Sequence, residues 1–418
     1  MIHDQIVLFE DTHAQGRVFK PLTYTRTFAE LLVGCYSAIE RIITFTNADS
    51  QIVLHTRPEL VPIVKKRYPD LRVNELLQAK RTIFVNARLL LTEHIFTQFL
   101  NGDDSLFRWE DHNEEILGFN VVGIIPKAIM HKVMSGEAIT NVDIKLTEHT
   151  LPRAKLFTSL WNMVNSNSIV IQSDVKRIAA AGVRVFQHDL HSNPKTDVTN
   201  VKNIYADESV IFARRTYLDA SEGPILIEGN VAIEPNVTII GPVVIRSGSL
   251  IKAGAKIHPG VSIGPVSKIG GEVENSIIQG YSNKQHDGYL GHSFIGEWCN
   301  LGAGTNTSDL KNDYSNVKMN IDNEEFETKS LFVGLLMGDH SKSAIGTQFN
   351  SGTAIGVSSN IFCTGFPPKW IPNFSWCGPE GLQKYRTEKA LEVAKIVMAR
   401  RGKVISEEET ALLKSLAT

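Results

Sequence analysis

Isoleucine recurs every six residues at Ile227, Ile233, Ile239, Ile245, Ile251, Ile257, Ile263 and Ile269, with Val231, Val237, Val243, Val261 and Val273 four places after members of that series. A period of six does not fit the 3.6-residue helical turn, and isoleucines so spaced would spread around every side of a helix. Between them stand Gly, Pro, Ser and Asn, which break helices and favour turns. An Ile at the same corner of every short strand can point inward only if the chain turns after each hexapeptide. Three strands then make one coil, and the coils stack to bury the Ile column. Residues 227–362 therefore predict a parallel β-helix.

After Glu274 the period is interrupted by NSIIQGYSNKQHDGYLGHSFIG. It returns as Ile295-Gly296, Leu301-Gly302, Val333-Gly334, Ile345-Gly346, Ile355-Gly356 and Ile361. Insertions in a solenoid leave as loops on one face, free of the packing constraint and rigidly held, which places a binding site near residues 281–340.

The flanks read differently. Residues 1–190 form an α/β domain, with strands at Ile6–Phe9, Gln51–His55, Thr82–Asn86 and Phe119–Ile125. Its helices fall at Phe28–Phe45, Pro58–Arg67, near Phe157–Asn165 and at Ser173–Ala181. A parallel sheet covered by helices is the economical arrangement. Residues 191–206, with HSNPKTD, read as a linker, 207–378 as the β-helix domain, and 379–418 as a helical tail whose MARRGK stretch is a solvated helix end. The 43 basic and 45 acidic side chains leave a formal charge of -2, which gives no pull toward nucleic acid or anionic membrane and favours small-molecule partners. Cys35, Cys299, Cys363 and Cys377 lie far apart with no CxxC pair, which fits a reducing compartment rather than disulfides or zinc. The opening MIHDQIVLFEDTHAQ has no signal-peptide character and no run of 18 apolar residues occurs, so a cytoplasmic location is expected.

Residues 284–305, KQHDGYLGHSFIGEWCNLGAGT, resemble the catalytic segment of the bifunctional N-acetylglucosamine-1-phosphate uridylyltransferase/glucosamine-1-phosphate N-acetyltransferase family. That family shows a Lys, then His, Tyr, Leu and Gly ahead of an Asn-x-Gly-Ala-Gly-Thr run. The order of domains is similar too, a Rossmann-like nucleotidyltransferase domain followed by a left-handed β-helix. GDHSKSAIGTQFNSGTAIGVSSNIF and GFPPKWIPNFSW look closest to the Bacteroidetes-type variant. The left hand comes from this resemblance alone, since crossover statistics favour the opposite hand.

The resemblance implies roles. His286 matches the base that takes the proton of the sugar amine as it attacks acetyl-CoA, work for which an imidazole is suited. Lys284, Tyr289 and Asn300 match substrate contacts, and the main-chain amides of Gly302, Ala303, Gly304 and Thr305 match donors to the thioester oxyanion or the pantetheine arm. Beyond the GAGT run the sequence departs from the family; Tyr314 and Lys318 stand as candidates for the sugar phosphate or as surface residues. His292 and His340 are lesser candidates.

The N-terminal loop EDTHAQGRVFKPLTYTR keeps one glycine, Gly16, and offers Arg17, Lys20 and Arg26 as a cationic phosphate site. Where the family places a magnesium-holding aspartate at a strand end, FVNAR puts Asn86 and Arg88. Asp103 and Asp174 are available acids whose spacing does not single them out, so the metal ligands stay unassigned.

Three functions remain open on this reading. The first is a two-domain transferase making a nucleotide-activated N-acetylamino sugar such as UDP-N-acetylglucosamine. Its substrates would be sugar 1-phosphate, nucleoside triphosphate with Mg, and acetyl-CoA. The second keeps nucleotidyl transfer alone, with the β-helix as trimerisation and regulatory module. The third is an acyltransferase with a degenerate N-terminal domain. A homotrimer is implied in each, because the family builds its acyl-CoA site between neighbouring subunits.

Overall fold

The computed structural model describes residues 2–11, 16–46, 50–110, 112–180 and 195–417. These fall into two compact units, one within 1–19, 25–31 and 36–158, the other within 20–24, 32–35 and 159–418.

The first unit is built on seven strands: β1 (Ile2–Phe9), β2 (Gln51–Leu54), β3 (Arg72–Val73), β4 (Ala79–Asn86), β5 (Ser105–Trp109), β6 (His112–Val122) and β7 (Thr147–Leu151). Its helices are α1 (Ala38–Phe45), α2 (Val61–Arg67), α3 (Glu93–Asn101) and α4 (Lys127–Ser135). The sheet order is β3-β2-β1-β4-β6-β5-β7. It is mixed rather than parallel: β1 to β4 run parallel, whereas β6 is antiparallel to both neighbours, because β5 reaches it through a short hairpin with no room for a crossover. Phe9, Phe84 and Phe119 fill one face, with the last two rings stacked 4.2 Å apart. The helix expected over 28–45 begins only at Ala38. Gly34 takes a positive φ, and Ser37 then caps the new helix in a capping box with Glu40.

The second unit contains the three-sided coils, consistent with the left-handed β-helix implied by the resemblance. Hydrogen-bond register stacks Phe212, Ile233, Ile251 and Ile269 on one face, and Leu218, Ile239, Ile257, Val273 and Leu290 on a second. Ile227, Ile245, Ile263, Ile278, Ile295, Met337, Ile355 and Ile371 stack on the third. All eight isoleucines of the six-residue series are buried. The third face is buried outside as well, since its outward Val244, Ser262, Ile277 and Phe294 are covered, in part by α5 (Leu160–Ala180).

Several expectations change. The coil does not break after Glu274: strands Ile277–Gly280, Asn283–Lys284 and Tyr289–Gly291 continue all three faces, and the six-count fails because the steps from Ile269 to Val273, Val273 to Ile278 and Leu290 to Ile295 are shorter. The inserted segment is 308–334, which carries the hairpin Lys318–Ile321/Glu324–Glu327. Ile345 lies outside the column, 79% exposed, and Ser343 takes the inward place. Of the expected linker, 191–194 lie outside the described residues. Thr196–Thr199 and Ile204–Ala206 already pair with the next coil. The helices expected near 157–165 and 173–181 are one helix, α5, and it packs in the second unit; residue 181 lies outside the described residues. In the tail, Gly381–Lys384 pairs antiparallel with Ser375–Gly378 before α6 (Thr387–Ala399) and α7 (Glu407–Ser415). Among the described residues no helix is long and apolar enough to cross a membrane.

Candidate active sites

On the second face of the β-helix, alternation points Tyr289 and Gly291 outward and buries Leu290 between them. The glycine opens a window. A Cβ at Gly291 would meet a carboxylate oxygen of Asp309 at 2.2 Å and the Tyr289 hydroxyl at 2.3 Å, so those two groups can approach each other only over a bare backbone. The Tyr289 hydroxyl shares its proton between Asp309 Oδ2 at 3.0 Å and Glu274 Oε2 at 3.2 Å. Burial, then the charges of Asp309 and Glu274, hold that phenol well above its ordinary pKa, so it stays protonated. The same Asp309 oxygen lies 2.8 Å from His292 Nδ1, and Phe332 stacks on the imidazole with centroids 4.9 Å apart. A carboxylate on Nδ1 favours the tautomer that leaves Nε2 as the proton acceptor. His292 sits at a corner with positive φ where the two preceding coils carry Gly260 and Asn275.

The structure places the residues expected from sequence as follows. His286 is exposed at the corner entering this strand, and its carbonyl accepts from Lys284 Nζ at 2.9 Å. Lys284 is not on the surface. It occupies the inward position after Ile269, 3% exposed, donating also to the Gly270 carbonyl at 2.9 Å, and burial lowers its pKa to about 8. Asn300 lies on the first face, in register between Asn283 and Lys342. At the next corner the amide of Gly302 donates to Ser343, that of Gly304 to Asp287 and that of Thr305 to Gly302. Among the described residues Ala303 has the one amide of these four without an intramolecular acceptor. Tyr314 is exposed on the insertion. Lys318 bridges Glu325 and Glu327 across its hairpin, which raises its pKa. His340 stacks against Trp298. The Glu274, His292 and Asp309 grouping around Tyr289 was not read from sequence. Its available signal was the Tyr-x-Gly-His spacing, which puts a bare glycine beside a tyrosine on one face.

In the first unit the sheet order reverses between β1 and β4, so a crevice is expected beyond their carboxyl ends. Glu10 and Asp11 follow β1, His55 to Arg57 follow β2, and Asn86 and Arg88 close β4. Arg88 is 1% exposed. Its Nη2 lies 2.6 Å from Asp11 and 2.8 Å from Glu115, its Nε 3.0 Å from Asp11, and its Nη1 donates to the Phe157 carbonyl at 2.8 Å. Asn86 donates to Asp11 at 2.7 Å and accepts the Arg88 amide at 2.9 Å. Glu10 is fully buried, accepting from the Phe28 amide at 2.8 Å and Thr56 Oγ1 at 3.1 Å, and burial raises its pKa. His55 is lowered to about 4 by burial. Of the expected phosphate-binding group, Gly16 is half-buried, Arg17 exposed and Arg26 buried in this unit. Lys20 belongs to the second unit, where it pairs with Asp322 at 2.7 Å. The resemblance implies magnesium near these strand ends, and the residues do not fit it. Among the described residues Asp11, Glu115 and Glu10 are already committed, and no group of three or more His, Cys, Asp or Glu is placed to hold a metal ion.

Residues 6–182 match the family model described as sugar nucleotidyl transferase. The bifunctional protein GlmU of Methanococcus aeolicus is 38% identical over 90 residues, 22% of this chain and 22% of that protein. The GlmU protein of Methanocaldococcus jannaschii is 39% identical over 85 residues, 20% and 21% of the two chains. A bifunctional sugar-1-phosphate nucleotidylyltransferase/acetyltransferase of Sulfurisphaera tokodaii is 33% identical over 98 residues, 23% and 24% of the two. The chain thus spans about a fifth of the length of the curated relatives it matches. A solved UDP-N-acetylglucosamine acyltransferase of Francisella novicida aligns over 54% of this chain and 75% of its own at 15% identity. Its TM-score of 0.23 is too low to carry an argument.

Proposed function

We propose, from a chain that carries a sugar nucleotidyl transferase family domain over residues 6–182, a two-site transferase that makes a nucleotide-activated N-acyl amino sugar. The observation that carries the reading is the presence, in that same chain, of a β-helix whose outward face gathers Tyr289, Asp309 and His292 beside the His286 corner.

At the β-helix, the amine of a hexosamine 1-phosphate attacks the acetyl-CoA thioester, the new C–N bond forms, and the C–S bond breaks to release the CoA thiol. His286 collects the amine proton, while the Tyr289 hydroxyl and its carboxylates position the sugar. The Ala303 amide is the one available to the thioester oxygen. At the N-terminal domain a sugar 1-phosphate oxygen attacks the α-phosphate of a nucleoside triphosphate and pyrophosphate leaves, with Arg17 among the cations that meet the phosphates. Magnesium enters with the triphosphate as part of that substrate. The enzyme works in the cytoplasm as a homotrimer on this reading, as the resemblance implies.

A second reading, acyl transfer alone, is favoured by Arg88 standing at the strand end where a metal-holding carboxylate is implied. The two are separated by assaying the purified chain for each partial reaction. One assay follows pyrophosphate from each nucleoside triphosphate with N-acetylglucosamine 1-phosphate, with Arg17→Ala as control. The other follows thiol from acetyl-CoA with glucosamine 1-phosphate. Both products are expected. Thiol without pyrophosphate selects the second reading, and neither product rejects both.

A further inference from the structure

The ends of β1 and β4 present an arginine in a setting that otherwise resembles a metal cradle. Asp11 and Glu115 converge on one point, and that point holds the Arg88 guanidinium, in contact with both at 2.6 and 2.8 Å. Asn86 donates to the same Asp11 oxygen at 2.7 Å. Magnesium needs near-octahedral oxygen ligands at about 2.0–2.1 Å. A fixed guanidinium between the two carboxylates both fills that volume and repels a second cation. Its planar donors match paired carboxylates, and Arg keeps its charge at any working pH. Glu10, also at these strand ends, gives one oxygen to the Phe28 amide and the other to the Thr56 hydroxyl, with the Arg57 guanidinium 3.6 Å away.

We propose that Arg88 is the built-in counter-ion of this site, and that the N-terminal domain binds its nucleotide phosphates without a divalent ion held by protein carboxylates. The inference deepens the nucleotidyl transferase reading and rests on it for the identity of the ligand. It predicts a domain that keeps its nucleotide affinity when the metal is stripped. It also predicts that exchanging the cation for an anion turns the cradle into a metal site, because Asp11 and Glu115 are then joined by a third carboxylate.

The test is Mn2+ binding to the full chain, followed by the amplitude of the free-ion signal in electron paramagnetic resonance. The unaltered protein is expected to leave the Mn2+ free, and Arg88→Asp to take up about one ion per chain. Uptake of about one ion by the unaltered protein, lost on Asp11→Asn or Glu115→Gln, overturns the proposal. Uptake that survives both substitutions lies elsewhere and agrees with it. Should Arg88→Asp fail to fold, the unaltered protein and the two carboxylate variants still decide the matter. Calorimetric titration with nucleoside triphosphate in EDTA separates the two levels. No binding with or without magnesium rejects the nucleotide reading, binding within about twofold in both conditions supports the proposal, and binding only with magnesium rejects it.

Discussion

Lys284→Met should stabilise the protein at neutral pH, although it deletes a residue matched to substrate binding. Lys284 follows Ile269 in an inward column where the earlier coils place Ile233 and Ile251. The residue is 3% exposed, and burial lowers its pKa from the ordinary 10.5 to about 8. A displacement of that size corresponds to about 3 kcal/mol against folding at pH 7, where both folded and unfolded chains carry the proton. Methionine fills the same column without that cost. It leaves the carbonyls of Gly270 and His286 without the lysine, a loss of about 1–2 kcal/mol. The net gain is about 1–2 kcal/mol, or about 2–8 °C in Tm. The pH dependence carries a definite sign. Between pH 8 and 10.5 the folded chain gives up the proton while the unfolded chain keeps it, so the unaltered protein gains stability as pH rises through this window. The advantage of the variant should therefore shrink from pH 8 upward, cancel near pH 9, and by 10.5 give way to an advantage of about 1–2 kcal/mol for the unaltered protein. Thermal or urea unfolding of both proteins across that range is the assay. A variant that is less stable at pH 7, with a difference that stays flat to pH 10.5, refutes the reasoning.

Gly291→Ala should pull the Tyr289 hydroxyl away from Asp309, costing about 1–3 kcal/mol of stability by overpacking and at least tenfold in acyl transfer, measured by urea unfolding and thiol release. Arg88→Met should destabilise the first unit by about 3–5 kcal/mol, because Asp11 and Glu115 lose their shared partner; chemical denaturation reads it directly. Asp309→Asn should lower the pKa of Tyr289 toward the ordinary range, seen as tyrosinate absorbance appearing at lower pH than in the unaltered protein. Cys299, held up to about 12 by burial, should react with thiol reagents only after unfolding.

The coils were legible in the sequence because each inward isoleucine repeats an identical environment, so the period survives without any long-range information. The reading lost the thread where the turns shorten, at Ile269 to Val273 and Val273 to Ile278, since a count in sixes cannot follow steps of four and five residues. That same stretch conceals Lys284. A polar residue at a column position looks like a loop until the register shows what it stacks on. His286, Tyr289 and the GAGT run could be picked out only by resemblance. Asp309 and Glu274, which surround Tyr289, come from neighbouring coils and meet it only through stacking. In the first unit the strands were legible from their apolar runs, but direction was not. A hairpin and a crossover leave similar strand patterns, and the antiparallel β6 follows from the short β5–β6 turn. The pairing of Arg88 with Asp11 joins the ends of two strands 77 positions apart in the chain, a distance no local pattern spans.

The measurement closest to the central claim is thiol release from acetyl-CoA with glucosamine 1-phosphate by the purified full chain, its His286→Ala variant and its His292→Asn variant. Acyl transfer at the β-helix predicts turnover by the unaltered protein and a fall of at least about a hundredfold in His286→Ala, the range of a lost general base. Turnover untouched by His286→Ala but lost in His292→Asn would move the base to the His292–Asp309 pair. No thiol release by the unaltered protein would contradict the account.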